Sequence, residues 1–432
     1  MSQSTAPHKW NFGAGPAMIP RPVLLRAQAE FLNYNDTGLS LMELSHRSAP
    51  YEQLNNHAQQ QLRTLLNIPS NYKIIFMQGG GHTQFAAVVY NLLAWRHHKN
   101  AHQGDWKDIP VDYVVTGAWS AKAVEEAKRL GANVRVVCDA KKALGGYKGI
   151  PAESTWLTSD PAGELRTQDA ANNRQPAYLY YCDNETVNGV EFPFVPSMHN
   201  ADVPIVCDMS SNILSRPVDV SKFGVIYAGA QKNIGPAGVS VVIVREDLLY
   251  TSESEHGLLP VPLMLDYKTM AKNNSLYNTP PMFAIYISSL VFDWLLDAQA
   301  QKVQDGEAYF VGEKVGVEAA AARNERKAGK LYKALEESKI YRIVVEDKAA
   351  RSKMNVPFRI SATHKDDPNG VVDKKRDEAI EAEFVAQAEA QGLLQLAGHR
   401  SVGGIRASIY NAMTEEGVDV LIKFLQEFEK QY

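Results

Sequence analysis

The chain has 432 residues, 45% apolar and 22% charged, with 45 Lys and Arg against 49 Asp and Glu for a formal net charge of −4. That balance excludes a disordered chain, a coiled coil and a collagen-like polymer, and an acidic chain is not built to coat nucleic acid. At roughly 100–200 residues per domain, the length predicts two or three domains, or one large domain with a smaller satellite.

The first motif met is Gly13-Ala14-Gly15, which superficially opens a dinucleotide fingerprint. Pro16 follows it, no strand precedes it and no third glycine comes at the right spacing, so it argues little for NAD. From Lys73 to about Glu246 short β-rich runs alternate with helical stretches. Lys73–Met77 predicts a buried strand; Gly79-Gly80-Gly81 follows, then a helix with apolar Phe85, Val88, Val89 and Leu92. Val111–Thr116 predicts a strand, and Trp119–Leu130 a helix with a basic last turn and a Gly131 stop. Val134–Cys138, Tyr178–Tyr181, Ile205–Cys207, Val225–Tyr227 and Ser240–Val244 are further strands. The alternation predicts an α/β fold, a mostly parallel sheet covered by helices on both faces.

The last third reads differently. Glu313–Glu337, Asp377–Gln391 and Val418–Gln431 predict helices, and Tyr341–Val345, Val356–Ser361 and Ile405–Ile409 predict strands. These form a smaller α+β C-terminal domain beside the large one. The hydrophilic stretches Arg96–Asp108 and His364–Arg376 predict surface loops; His97, His98 and His102 in the first make a weak metal candidate. Cys138, Cys182 and Cys207 form no CxxC pair and cannot all pair with each other, which points to a reducing compartment. The first 30 residues show no secretory pattern. The apolar stretch Phe283–Leu296 is broken by Ser288, Ser289 and Asp293 and is too short to span a bilayer. A cytoplasmic protein without membrane or nucleic-acid partners is expected.

No P-loop, HExxH or GxSxG motif is present. The informative segment is Ala228-Gly229-Ala230-Gln231-Lys232-Asn233-Ile234-Gly235-Pro236. A lone lysine ends an apolar strand among small residues, which let a planar cofactor approach the backbone. A lysine amine shielded from water titrates lower and becomes nucleophilic. Read alone, Lys232 is as readily a surface lysine in a turn. Asp208 also ends a strand, where ligands bind in open α/β sheets, and a carboxylate there can pair with a pyridinium nitrogen. It is equally a turn or cap acid. Gly79-Gly80-Gly81-His82 lies between strand and helix, where backbone N–H groups can meet a phosphate. Trp119 and Thr186 each follow a strand; the indole could stack on a ring and the hydroxyl could reach a ring oxygen.

With NFGAGPAMIP, ELSHRS, QGGGHTQF, GAWS, NETVNGVEF, CDMSSN, AGAQKNIGPAG, YNTPP and GHRSVGGIRASIYNAM in order along nearly the whole chain, the sequence resembles the phosphoserine aminotransferases, a family of class V, fold-type I enzymes that use pyridoxal 5'-phosphate. The resemblance implies catalytic roles for Lys232, bonded to the cofactor and then general base, and for Asp208, beneath the pyridine nitrogen. It implies that Thr186 meets the ring hydroxyl, that Trp119 stacks on the ring, and that Gly81, His82 and Gln231 hold the phosphate. Asn278 and Thr279 would reach that phosphate from a neighbouring subunit, so a homodimer with shared active sites is implied.

The family's substrates, L-glutamate and 3-phosphohydroxypyruvate, each carry a carboxylate and a distal anion. By resemblance Arg406 anchors the α-carboxylate, and His46, Arg47, His399 and Arg400 the distal anion, with His46 and Arg47 donated across the dimer. Arginine forks suit both anions. The implied reaction is ping-pong transamination giving O-phospho-L-serine and 2-oxoglutarate in L-serine biosynthesis. The implied domains are 20–298, which binds the cofactor, and 1–19 with 299–432, the small one. Two competing activities are alanine–glyoxylate transamination and cysteine desulfuration. The second needs a mobile catalytic cysteine, and all three cysteines here end predicted strands. A cofactor-binding protein without catalysis is disfavoured by the presence of lysine, acid and anion anchors together. Departures from many relatives are His82 in the glycine-rich turn and the longer hydrophilic stretches.

Overall fold

Runs of β-branched and aromatic residues become strands because both of their faces can be covered, and here both are. In the computed structural model, residues 9–100, 104–157, 175–197, 202–250, 261–297, 315–363 and 373–432 are described. In chain order the elements are β1 (Trp10–Asn11), α1 (Arg21–Glu30), α2 (Ala49–Leu66), β2 (Tyr72–Gln78), α3 (Gly81–Lys99), β3 (Pro110–Val115), α4 (Ala118–Arg129), β4 (Asn133–Asp139) and α5 (Ala140–Leu144). Then come β5 (Leu179–Cys182), β6 (Ile205–Asp208), β7 (Val225–Gly229), β8 (Val239–Arg245), α6 (Tyr267–Lys272) and α7 (Met282–Leu296). The last are α8 (Gly316–Glu337), β9 (Tyr341–Ile343), β10 (Asn355–Ile360), α9 (Lys374–Ala390), β11 (Leu393–Leu394), β12 (Ile405–Ser408) and α10 (Glu415–Glu429).

The 7-stranded sheet has the order β2-β8-β7-β6-β5-β3-β4. β8 pairs antiparallel with both β2 and β7, and the other pairings are parallel. Every strand except β8 therefore points the same way, an α/β sheet as the sequence predicts. The period-two alternation sorts β2 between two cores: Ile74 and Phe76 pack with Leu54, Leu62, Ile285 and Leu290 of α2 and α7, whereas Ile75 and Met77 pack with Phe85, Val88 and Leu92 of α3 and Ala123 of α4. Burying one such side chain is worth about 1.5–3 kcal/mol, so a register slip that exchanged the faces would be costly.

A separate core gathers the ends of the chain. The 3-stranded antiparallel sheet β12-β10-β9 packs with α8, α9 and α10 around Leu331, Tyr341, Phe358, Phe384, Phe424 and Phe428. Trp10 and Asn11 pair in parallel with Leu393 and Leu394, and Trp10 and Phe12 join this same core.

Some expectations shift. The strand expected over Tyr341–Val345 stops at Ile343, its last partner being Phe358; Val345 instead packs with Val190 and Ala350. Arg96–Lys99 is the last turn of α3 rather than a solvated loop. Arg96 is buried and donates to the Asp202 carbonyl at 2.6 Å, His97 Nε2 lies 3.2 Å from the Gly104 carbonyl, and His98 stacks on Tyr250 at 4.2 Å. Among the described residues no group of three or more His, Cys, Asp and Glu side chains could hold a metal. His102 and residues 364–372 lie outside the described residues. No described helix is long and apolar enough to cross a membrane.

Candidate active site

The direction of the strands decides where chemistry can gather. β2, β3, β5, β6 and β7 all end on one edge of the sheet. After β2 come Gly81 and His82, after β3 Trp119, after β5 Thr186; Asp208 is the last residue of β6, and Lys232 follows β7. Because β8 runs back alongside β7, the chain between them does not cross the sheet. It stays on that edge as a tight turn, Gly235 N–H donating to the Ala230 carbonyl at 2.7 Å. Gly81, His82, Trp119, Thr186, Asp208, Gln231 and Lys232 line one cavity.

Lys232 is 8% exposed, and its Nζ donates to Thr186 Oγ1 at 2.5 Å and lies 5.9 Å from the Trp119 ring centre. Burial lowers its pKa to about 8, against the opposing pull of Asp208. Burial also pushes the Asp208 carboxyl up, opposed by hydrogen bonds from Ser210 and the charge of Lys232; the Ser210 N–H donates to Asp208 Oδ1 at 2.8 Å. A carboxylate buried in this way favours a cation beside it.

Two helix N-termini meet this edge and differ in kind. α3 has no side-chain cap, and the N–H groups of Gly81 and His82 have no acceptor among the described residues. Open N–H groups at the positive end of a 19-residue helix suit a phosphate. α4 is closed instead. Trp119 N–H donates to Glu185 Oε2 at 2.8 Å and Ser120 N–H to Glu185 Oε1 at 2.9 Å, while Ala118 N–H donates to Asn188 Oδ1 at 2.9 Å. Of the two helices, α3 is the one whose first N–H groups remain open to an anion.

The other predicted residues lie outside this cavity's wall. Arg406, on β12, reaches the Thr186 carbonyl at 3.5 Å, and its buried Nε has no partner. Burial, then the charges of Arg406, Arg400 and Lys122, push the His399 imidazole below its ordinary value. His399 Nδ1 lies 2.7 Å from Ser401 Oγ, and Arg400 is exposed. His46 and Thr279 sit together, Nδ1 to Oγ1 at 3.3 Å; His46 Nε2 and Asn278 Oδ1 are buried without partners. Arg47 is exposed. The structure therefore brings seven of the predicted cofactor residues around one cavity, whereas Asn278 and Thr279, expected at the phosphate, and His46 and Arg47 are not on its wall. Lys122, 5.4 Å from the Trp119 ring centre, joins the site without a motif of its own, and Glu185 joins it from within NETVNGVEF without a role assigned from the sequence. The signal for Lys122 is its place one helical turn after Trp119.

Pyridoxal phosphate fits what is present. The cavity offers open N–H donors for a phosphate, a buried carboxylate for a ring nitrogen, a deprotonatable amine for an aldehyde, and Trp119 with a buried Nε1 that has no partner. The fold and this donor set define an enzyme that works through pyridoxal phosphate, a transaminase in type. The family description Aminotransferase class-V matches residues 9–421, and the chain belongs to that family. It is 44% identical over 424 residues to the phosphoserine aminotransferase of Laribacter hongkongensis, covering 98% of this chain and 99% of that one. Among solved structures it resembles the phosphoserine aminotransferase from Bacillus circulans subsp. alkalophilus, at 40% identity and TM-score 0.79, covering 98% and 99% of the two chains. It also resembles the pyridoxal-phosphate-bound phosphoserine aminotransferase from Trichomonas vaginalis, at 38% identity and TM-score 0.77, covering 97% and 100%.

Proposed function

We propose that this chain is a phosphoserine aminotransferase, moving the amino group of L-glutamate to 3-phosphohydroxypyruvate to give O-phospho-L-serine and 2-oxoglutarate. The observation that carries the reading is the buried Lys232 amine, hydrogen-bonded to Thr186 and drawn by the charge of Asp208, with Arg406, whose buried Nε has no partner, reaching the Thr186 carbonyl beside it. When bound, pyridoxal phosphate supplies an aldehyde that exchanges amines and a ring that draws electron density from a substrate α-carbon.

The residues of the chain do the rest. Asp208 would pair with the ring nitrogen and favour its cationic form; Gly81, His82 and Gln231 would hold the phosphate, Trp119 would stack on the ring and Thr186 would meet its hydroxyl. Lys232 Nζ takes the substrate's α-proton and returns it on the other side of the exchange. A pKa near 8 suits that work at neutral pH. Arg406 forks onto the α-carboxylate, and His399 and Arg400 meet the distal anion. Desulfuration finds no ready nucleophile here: Cys138, Cys182 and Cys207 are buried and free, and burial raises Cys138 to about 12 and pushes Cys182 and Cys207 well above the ordinary thiol value.

A homodimer completes the site. The exposed apolar side chains Leu24, Leu25, Phe31, Leu32, Leu39 and Met42 run along the segment that leads to His46 and Arg47, and such a patch favours burial by a second copy. That copy would supply His46, Arg47, Asn278 and Thr279. The free cysteines support a cytoplasmic setting. The test is a coupled assay on pyridoxal-phosphate-loaded protein with O-phospho-L-serine and 2-oxoglutarate. Turnover of L-serine at an equal rate, or a preference for alanine with glyoxylate, would reject the phosphate-bearing substrate.

A further inference from the structure

A fully buried glutamate sits behind the cofactor cavity with no part in the chemistry above. Glu185 is 0% exposed, one residue before Thr186. Its two carboxylate oxygens accept from Trp119 N–H at 2.8 Å, Ser120 N–H at 2.9 Å and Ser120 Oγ–H at 2.5 Å. Helix α4 begins at Gly117, which has no side chain to cap it. The glycine is required for space: a Cβ there would lie 2.4 Å from the Glu185 carboxyl carbon. The cap of α4 is thus supplied across the sheet edge.

We propose that Glu185 is the positioning residue of the cofactor site, fixing the Trp119 ring by capping α4 from the loop that presents Thr186. The proposal rests on the reading that Trp119 and Thr186 face pyridoxal phosphate. The helix turn that carries Trp119 has N–H groups that are costly to bury unpaired. A carboxylate at this end also complements the helix dipole. One side chain therefore sets the spacing between two groups on different elements, the stacking ring on α4 and the hydroxyl, in the loop after β5, that holds Lys232. The loop itself is anchored independently: Glu185 N–H donates to the Val190 carbonyl at 2.8 Å and Asn184 Nδ2 to Ser211 Oγ at 2.7 Å. Glutamine would keep the shape but turn an N–H toward one of these donors.

The test is a double-mutant cycle on the full-length, cofactor-depleted protein, with affinity for pyridoxal phosphate measured by equilibrium dialysis and the circular dichroism of the bound cofactor as second readout. Glu185→Gln is expected to weaken binding about tenfold, the scale of a lost charged hydrogen bond, and to reduce the dichroic band. In a Trp119→Ala background the same change is expected to alter affinity less than about twofold, because coupled residues are not additive. Full multiplication of the two effects would overturn the proposal while leaving Trp119 as a stacking residue. Unchanged affinity in Trp119→Ala alone would overturn the stacking reading and the proposal with it. Glu185→Asp, which keeps the charge but retracts it, carries the same cycle if Glu185→Gln does not fold.

Discussion

The cavity around Lys232 and the anion anchors around it are built in opposite ways. Lys232, Asp208, Thr186 and Gly81 are contributed by different strands, yet they converge on a single cavity inside one chain. Arg47 and Arg400 are exposed, and His46 and Thr279 pair with each other away from that cavity. Cofactor chemistry needs a dry, rigid pocket in which a lysine and a carboxylate are held out of water, and a single sheet edge can supply it. Recognition of a doubly anionic substrate needs cations kept apart until the substrate arrives, since burying them together without an anion is costly. A second copy of the chain can supply those.

The contrast is sharpest at Lys232. Lys232→Ala should lower kcat at least about a thousandfold, at the upper end of what a general base contributes, while single-turnover binding of pyridoxal phosphate persists; retained turnover would break the inner half of the comparison. Asp208→Asn should follow at about a hundredfold, read as kcat with phosphoserine, because a neutral amide cannot hold a cationic ring nitrogen. The outer half is tested by mixing. Lys232→Ala and Arg47→Ala proteins, each nearly inactive, should regain activity when unfolded and refolded together, because one hybrid site receives both wild-type residues. No recovery would mean that each chain builds its own anchors.

Arg406→Ala should raise KM for glutamate and for phosphoserine alike, by about tenfold to a hundredfold, since both lose the same charged fork; a change for one substrate alone would separate Arg406 from the α-carboxylate. The smallest effect is one of pH. In the cofactor-free chain the Lys232 amine, held at about 8 by burial, takes up a proton as pH falls. Capture of pyridoxal phosphate, followed by absorbance, should therefore slow about tenfold for each unit below about pH 8 and level off above it.

Much of the inner half was legible in the sequence. Strands buried on both faces read as unbroken apolar runs, which is why Val225–Tyr227 and Ile205–Cys207 stand out and why the residues just past them mark the sheet edge. α2 is harder to see: Tyr51, Leu54, Ala58, Leu62 and Leu65 form its buried stripe, but a run of Asn, His and Gln between them masks the period. β1 and β11 are two residues each, too short for any periodicity. Glu185 looks like an ordinary turn acid until the coordinates show α4 arriving above it. The link between the two cores was also hidden. Asn411, after β12, donates its N–H to Asn233 Oδ1 at 2.9 Å and its Nδ2 to the Leu214 carbonyl at 2.8 Å, so the residue next to Lys232 is held by the far end of the chain. Nothing local in an Asn-Ala-Met segment announces that.

The reversed strand has a bearing on how the molecule is made. β2 has one neighbour, β8, so the segment leading to Gly81 and His82 cannot seat itself until residue 245 has left the ribosome. Trp10 waits longer still, for Leu393. At roughly 5–20 residues per second of synthesis, the segment around Gly81 and His82 emerges early but stays unsupported for many seconds, until β8 has been made.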